Sequence, residues 1–148
     1  MSWLALRPEI RTLLESETLL QEVKGFPTLK FTGYPGAYVV PSTNESDYET
    51  TTENERVYAF LVRVFYETKD GGIENALIAL EGAVDSIMDA VDEDSYKGAD
   101  RVIGVDLPAK YTYLHTYAIN GEWGTIEEES LVFTELTIRV HLSVDITS

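Results

Sequence analysis

The chain has 148 residues, a length that suits one compact domain burying about 68–70% of its unfolded surface. It has no cysteine, which excludes disulfides, thiolate metal sites and a cysteine nucleophile. Its 26 acidic and 11 basic residues give a net charge of −15, which disfavours stable binding to nucleic acid or anionic lipid. With no apolar run long enough to span a membrane and no signal-peptide pattern, we expect a soluble, intracellular protein.

Pro8 is predicted to be the first residue of an N-terminal helix, because proline is favoured at that position. The helix would bury six apolar side chains before Gly25 and Pro27 end it. These side chains are Ile10, Leu13, Leu14, Leu19, Leu20 and Val23. Their stripe drifts around the helix near Ser16, which predicts a bend or a break there.

Two short strand pieces are predicted next, over residues 28–34 and 36–40, with a turn at Pro35 and Gly36. Residues 41–54 are mostly polar or acidic and predict a projecting loop. A loop of this length in a compact domain is usually functional or mobile, although a solvent-exposed hairpin connection fits the composition equally well.

Residues 55–67 predict a β-strand that is apolar on both faces. One set of alternate residues is Tyr58, Phe60, Val62, Val64 and Tyr66. The other set is Val57, Ala59, Leu61 and Phe65, interrupted by Arg63. If the first set packs against the helix that follows, the second set needs another cover, which is either the first helix or another copy of the protein.

The most regular helix is predicted to begin just after Asp70. Asp70 or a neighbouring residue would be its N-cap. Apolar residues recur at i, i+3, i+4 and i+7 from Ile73 to Val91, which predicts about five turns. A second arc, from Asn75 to Ala90, has only small residues. Either the first helix or a neighbouring subunit could approach that arc closely.

From Leu107 onward the apolar period is two, which predicts two strands with a turn at Asn120-Gly121 and a projecting tip over 120–130. Residues 131–146 alternate except at Thr134 and would extend about 50 Å. The element order α-β-β-α-β-β predicts an α+β fold in a single domain over 1–148. Two helices would pack on a mainly antiparallel sheet of about four strands.

No motif of a catalytic, cofactor or metal site is found, so we predict that the chain is not an enzyme and has no cofactor. The acidic cluster over 85–94 could bind a hard cation, but Lys97 and Ile103 stand where a calcium loop needs glycine and glutamate. His115 and His141 could face each other on adjacent strands, yet two histidines without a third ligand are weak evidence for a site. Solvent-exposed acids and sheet-surface polar residues are the simpler interpretation.

Three features together resemble the tail terminator or tail-to-head joining (neck) proteins of long-tailed bacteriophages. The first is an apolar strand ending in proline and serine at residues 36–42, and the second is the helix with Asp85 and Asp89. The third is an acidic Ser-Asp-Tyr loop at 46–48 followed by NERVYAFLVRVF at 54–65. The resemblance covers residues 26–146.

The resemblance implies a structural virion protein without catalysis or cofactor. Such proteins form rings, usually hexameric, at the head-proximal end of the tail tube, where they stop tube polymerisation and join the tail to the head. The implied partners are other copies of the chain, the tail tube protein and a head-completion or connector protein, in the virion and in the host cytoplasm during assembly. DNA passes through the ring without specific binding, and an acidic chain would repel it.

Under this hypothesis we expect eight residues at contacts with neighbouring subunits or an adjoining ring. They are Val57, Ala59, Leu61, Arg63, Asp47, Tyr48, Glu49 and Trp123. Trp123 could equally cap the sheet. The alternative functions are another neck or head-completion ring protein, a small acidic metal-dependent hydrolase, and a monomeric ligand-binding or adaptor domain.

Overall fold

The computed structural model describes residues 2–48, 53–69 and 71–145. Two helices are present among them, α1 (Ser2–Glu17) and α2 (Gly72–Tyr96). The strands are β1 (Glu22–Lys24), β2 (Gly36–Tyr48), β3 (Glu53–Glu67), β4 (Tyr111–Ile126) and β5 (Leu131–Asp145). Short 3₁₀ turns occupy Gly98–Asp100 and Glu127–Glu129. No helix among these residues is long and apolar enough to cross a membrane.

The five strands form one mixed sheet in the order β1-β2-β3-β5-β4. β1 is parallel to β2, and the other neighbouring pairs are antiparallel. The predicted sheet of four strands in the order α-β-β-α-β-β is therefore wrong, because the chain runs α-β-β-β-α-β-β. The predicted strand piece over 28–34 is also wrong, since no strand covers it.

β1 was missed because it is only three residues long and its apolar residue, Val23, also fits the stripe of the preceding helix. α1 ends at Glu17, close to the predicted break near Ser16. The Gln21 N–H then donates to the Pro35 carbonyl at 2.8 Å, which holds the chain beside β2. Val23 is paired with Ala37 and is only 3% exposed.

Pro8 lies inside α1 and does not begin it. Proline lacks an N–H and removes one hydrogen bond from the helix, a cost that usually excludes it from the interior. Here Leu6 and Ile10, on either side of Pro8, are both fully buried. Burial of two such side chains stabilises the fold by about 1.5–3 kcal/mol each, which outweighs the lost hydrogen bond.

The predicted loop over 41–54 is largely strand, because β2 continues to Tyr48 and β3 begins at Glu53. The polar composition of residues 41–54 does not indicate this pairing of β2 with β3. The ladder is irregular between Pro41 and Asn44, where β2 has already passed the end of its pairing with β1. Proline is tolerated at such an irregularity, because a bulge does not require every N–H of the strand for the ladder.

α2 confirms the predicted long helix, and it buries residues such as Leu80, Val84, Ile87 and Val91 against the sheet. Its small-residue arc faces α1 and the segment that follows it, where the Leu19 N–H donates to Ser86 Oγ at 3.2 Å. Within this chain α1 and that segment therefore cover the arc.

β5 confirms the predicted long final strand. The chain reverses at Glu127–Glu129 and not at Asn120-Gly121, which lies at an irregularity in the β4–β5 ladder. Thr134, which interrupts the apolar residues of β5, is buried, and its hydroxyl forms hydrogen bonds at this irregularity. Its hydroxyl accepts from Asn120 Nδ2 and donates to the Glu122 carbonyl, both at 2.9 Å.

Two carboxylates fix the loop after α2. Asp94 is fully buried and accepts hydrogen bonds from the Val102 and Ile103 N–H groups at 2.6 and 3.0 Å. Glu9 on α1 accepts from the N–H groups of Gly104 and Asp106 at 2.9 and 3.1 Å. Burial raises the pKa of Glu9, and these two backbone hydrogen bonds partly offset that effect. Asp94, although it belongs to the acidic cluster over 85–94, has a structural role, because its oxygens hold the backbone of the loop after α2.

Candidate interaction surface on the open face of the sheet

Both helices pack on one face of the sheet. Tyr58, Phe60, Val62 and Val64 of β3 lie on that face, at most 3% exposed, in one cluster with α1 and α2. The first helix therefore does not cover the second apolar set of β3, which excludes one of the two predicted covers. We call the opposite side of the sheet the open face.

Strand register arranges the open face in rows, because paired residues of adjacent strands share a face. Val57 is paired with His141, which is paired with His115. The next two rows are Ala59, Arg139 and Tyr117, and Leu61, Thr137 and Ile119. Val40 of β2 is paired with Leu61. The central apolar residues of β3 are thus flanked by aromatic, basic and imidazole side chains.

The exposed fraction differs along the strip of the open face formed by Val57, Ala59, Leu61 and Ile119. Ala59 is almost fully buried by its neighbours within the chain at 2% exposed, whereas Val57 and Leu61 are half-buried. Ile119 on the outer strand is 49% exposed. The apolar surface that reaches solvent is therefore formed by Val57, Leu61 and Ile119, and Ala59 lies beneath it.

Phe65, the fourth apolar residue of the second set of β3, is covered by other aromatic residues of the chain. Its ring lies 5.4 Å from Phe31, 5.8 Å from Tyr38 and 6.3 Å from Phe133, and Phe65 is fully buried. Phe31 belongs to the segment between β1 and β2, which crosses this end of the open face. Neither predicted cover anticipated this segment. The aromatic residues at 31 and 34 are the available indication in the sequence, where their pattern predicts a strand.

Arg63 forms an ion pair with Glu135, its partner in register on β5. Its guanidinium also lies over the Phe133 ring, 5.1 Å from the centroid. The Nε atom is buried and has no hydrogen-bond partner within the described part of the chain. Arg63 is thus held by intramolecular contacts and retains one donor.

The two histidines meet as the sequence predicted. Their rings stack with centroids 4.2 Å apart, and His141 Nδ1 lies 2.9 Å from Glu55 Oε1. Burial lowers the pKa of His115, and the neighbouring His141 lowers it further, while Glu55 acts in the opposite direction. No group of three or more potential metal ligands occurs among the residues that the structure describes.

The remaining predicted residues do not converge on the strip. Asp47 and Tyr48 are on β2, paired with Glu55 and Asn54, and Glu49 lies outside the described residues. Trp123 is 40% exposed and is paired with Thr134, whose side chain is on the helix side of the sheet. The structure therefore separates Trp123 from Val57, Ala59 and Leu61.

Scans against protein-family models and against curated proteins give no match. Twenty-five chains of solved structures do match. One comes from a structure titled "Virion of native gene transfer agent (GTA) particle". It aligns with a TM-score of 0.61 over 96% of this chain and 97% of that chain, at 17% sequence identity. At this identity the similarity establishes a shared fold.

Proposed function

We propose that this chain is a structural protein of a phage-like virion. It forms a ring at the head-proximal end of the tail tube, ends tube polymerisation and joins the tail to the head. The observation that supports this most strongly is the fold shared, over almost the whole length of both chains, with a chain of the gene transfer agent virion. The sequence resemblance to tail terminator and neck proteins supports the same function independently.

The open face supplies the interaction surface for this assembly. Val57 and Leu61 on the central strand β3 and Ile119 on the outer strand β4 present apolar surface on a sheet face that neither described helix covers. Exposed apolar surface with a polar rim is typical of protein interaction sites. We propose that this strip, with Arg63 beside it, contacts a neighbouring copy or the adjoining tail tube ring. Asp47, Tyr48 and Glu49 would extend the contact beyond the strip, and Trp123 would make a separate one.

The charge supports passage of DNA without capture. A net charge of −15 on each copy would be multiplied in a ring, and such a field repels the phosphate backbone. DNA would therefore cross the lumen without specific binding, as head-to-tail transfer requires.

The same observations support a different neck or head-completion ring, and the two functions differ in partner. The hydrolase alternative has less support, because both oxygens of Asp94, the buried acid of the cluster, accept hydrogen bonds from backbone amides. We therefore propose no catalytic role for this carboxylate.

Light scattering and negative-stain electron microscopy of the purified protein test the proposal. We expect a ring, alone or in the presence of tail tube protein, and a cap at one end of tube assemblies whose length it limits. Binding only to a connector protein would assign the chain to another neck ring. A monomer at all concentrations, with no ring and no binding to either partner, would contradict the virion function.

A further inference from the structure

We propose that neighbouring copies contact each other through two patches of opposite charge. A basic notch at Arg7 and Arg11 of one copy binds the acidic outer side of α2 on the next copy. This inference rests on the proposed function, because it specifies one contact within the proposed ring.

The basic notch lies at the edge of the sheet where β1 ends. Arg7 and Arg11 are one turn apart on α1 and, with Gly25 and Val39, line a cavity of about 270 Å³. β1 pairs with β2 only as far as Tyr38, so no strand of the described residues lies beside the β2 edge at Val39. The cavity lies at this edge of the sheet, and the charged groups that border it are two guanidinium groups and the Glu15 carboxylate.

Both arginines can bind a further carboxylate. Arg11 Nε is 3.8 Å from Glu15 Oε1, and these side chains are 45% and 50% exposed, so this pair is weak. Arg7 Nη1 donates to the Gly25 carbonyl at a long 3.5 Å. A guanidinium has five N–H donors in a planar fork that suits bidentate contact with a carboxylate.

The notch faces away from α2. Glu9, on the opposite side of α1, bonds to the loop after α2 through Gly104 and Asp106. Arg7 and Arg11 instead approach Gly25, which follows β1. Their charge is therefore directed out of the protomer.

The acidic outer side of α2 has no basic residue, and none occurs anywhere in the helix. Its exposed acids are Glu74, Glu81, Asp85, Asp89, Asp92 and Glu93. Around the helix axis, Asp85, Asp89 and Asp92 lie about 100°, 60° and 120° from Ser86, which contacts the segment after α1. Ser95 bonds to Tyr113 and Thr116 of β4, so the other flank of α2 borders β4. These acids consequently lie between the two flanks, opposite buried Ile87, and point away from the sheet.

The two patches thus occupy different sides of one chain. α1 lies over β1 and β2, whereas α2 packs on β3, β5 and β4, the other half of the same sheet. Residues 1–30 have four acidic and four basic residues, so the entire net charge of −15 falls on the rest of the chain. A chain cannot bring its own notch to its own α2 acids. Contact between two different patches on identical copies is heterologous, and such contacts close into rings when the rotation allows.

Charge reversal in two variants tests this contact. Arg7→Glu with Arg11→Glu gives copies whose notch and α2 are both acidic. Asp85→Arg with Asp89→Arg gives copies whose notch is basic and whose α2 has two arginines among its remaining acids. Each variant alone should associate at least about tenfold more weakly than the wild type at low ionic strength, an effect that shrinks as salt screens exposed charges. Mixed in equal amounts, the two variants should form rings in which they alternate.

The matched control is Lys69→Glu with Lys97→Glu, which changes the net charge equally at exposed bases outside the notch. It should assemble as the wild type does, and circular dichroism should show all variants folded. Normal rings from the notch variant, or no rings from the mixture of folded variants, would overturn the inference and leave the proposed function intact. A wild type that forms no ring, with or without tail tube protein, would instead overturn the proposed function.

Discussion

The imidazole rings of His115 and His141 stack 4.2 Å apart on neighbouring strands of the open face. Burial and the adjacent His141 lower the pKa of His115, so the unfolded chain binds its proton more readily than the folded one. This group therefore stabilises the fold fully only above its unfolded pKa of about 6.5, and its contribution is lost as the pH falls below that value. We expect His115→Gln to reduce the loss of stability between pH 7.5 and pH 5.5.

Urea unfolding of both proteins at the two pH values measures this difference, which includes the electrostatic coupling of His115 to His141. Glu55, Arg139 and Tyr117 face the histidines from the neighbouring strands and remain unchanged. Equal losses in the two proteins would show that His115 titrates in the folded protein as it does in the unfolded chain.

Asp94 is expected to be the most sensitive acid of α2. It is fully buried and both of its oxygens accept backbone hydrogen bonds, so Asp94→Asn places an amide NH₂ against an N–H donor. An unsatisfied buried donor costs about 1–3 kcal/mol in the free energy of unfolding. Asp92→Asn, at an exposed position two residues earlier, should change it by less than about 0.5 kcal/mol. Similar values for the two variants in urea unfolding would contradict this assignment.

The long elements could be predicted from the sequence, and the short or irregular ones could not. α2 and β5 repeat their apolar period over many residues, so a packing face is visible in the pattern. β1 shows no such period in three residues, and the polar end of β2 pairs through its backbone, which composition does not reveal. Pro8 was misplaced because the burial of Leu6 and Ile10 is a tertiary effect.

The open face was only partly predictable for a similar reason. Alternation identified Val57, Ala59 and Leu61 as one set, and the structure does place them on one side of β3. The side of the sheet on which the helices lie depends on the packing of both helices with all the strands. The cover of Phe65 by Phe31 joins segments 34 residues apart in the chain, and no local pattern encodes that contact.

Alanine substitutions at Gly98 and Gly104 distinguish the cost of backbone strain from the cost of a steric clash. Gly104 and Gly98 both have positive φ, 77° and 61°, which disfavours any other residue. A Cβ at Gly104 would lie 2.5 Å from the Tyr113 ring, whereas a Cβ at Gly98 would meet nothing within 4 Å. Gly98→Ala should cost about 1–2 kcal/mol for the left-handed backbone alone. Gly104→Ala should cost more, because Tyr113, held under Arg101, would also have to move. Equal unfolding free energies for the two variants would show that Tyr113 moves freely.

Leu61→Asp and Val62→Asp test the interaction surface with neighbouring residues on opposite sides of β3. Leu61 is half-buried on the open face, and Val62 is fully buried under the helices. An unpaired carboxylate at Val62 should unfold the protein, since burying it costs several kcal/mol. At Leu61 the carboxylate can reach solvent in a free chain but not in an assembled one. We therefore expect a folded Leu61→Asp monomer that forms no ring or no contact with the tail tube. Loss of folding at Leu61, or normal assembly with tail tube protein, would remove this strip from the proposed interface.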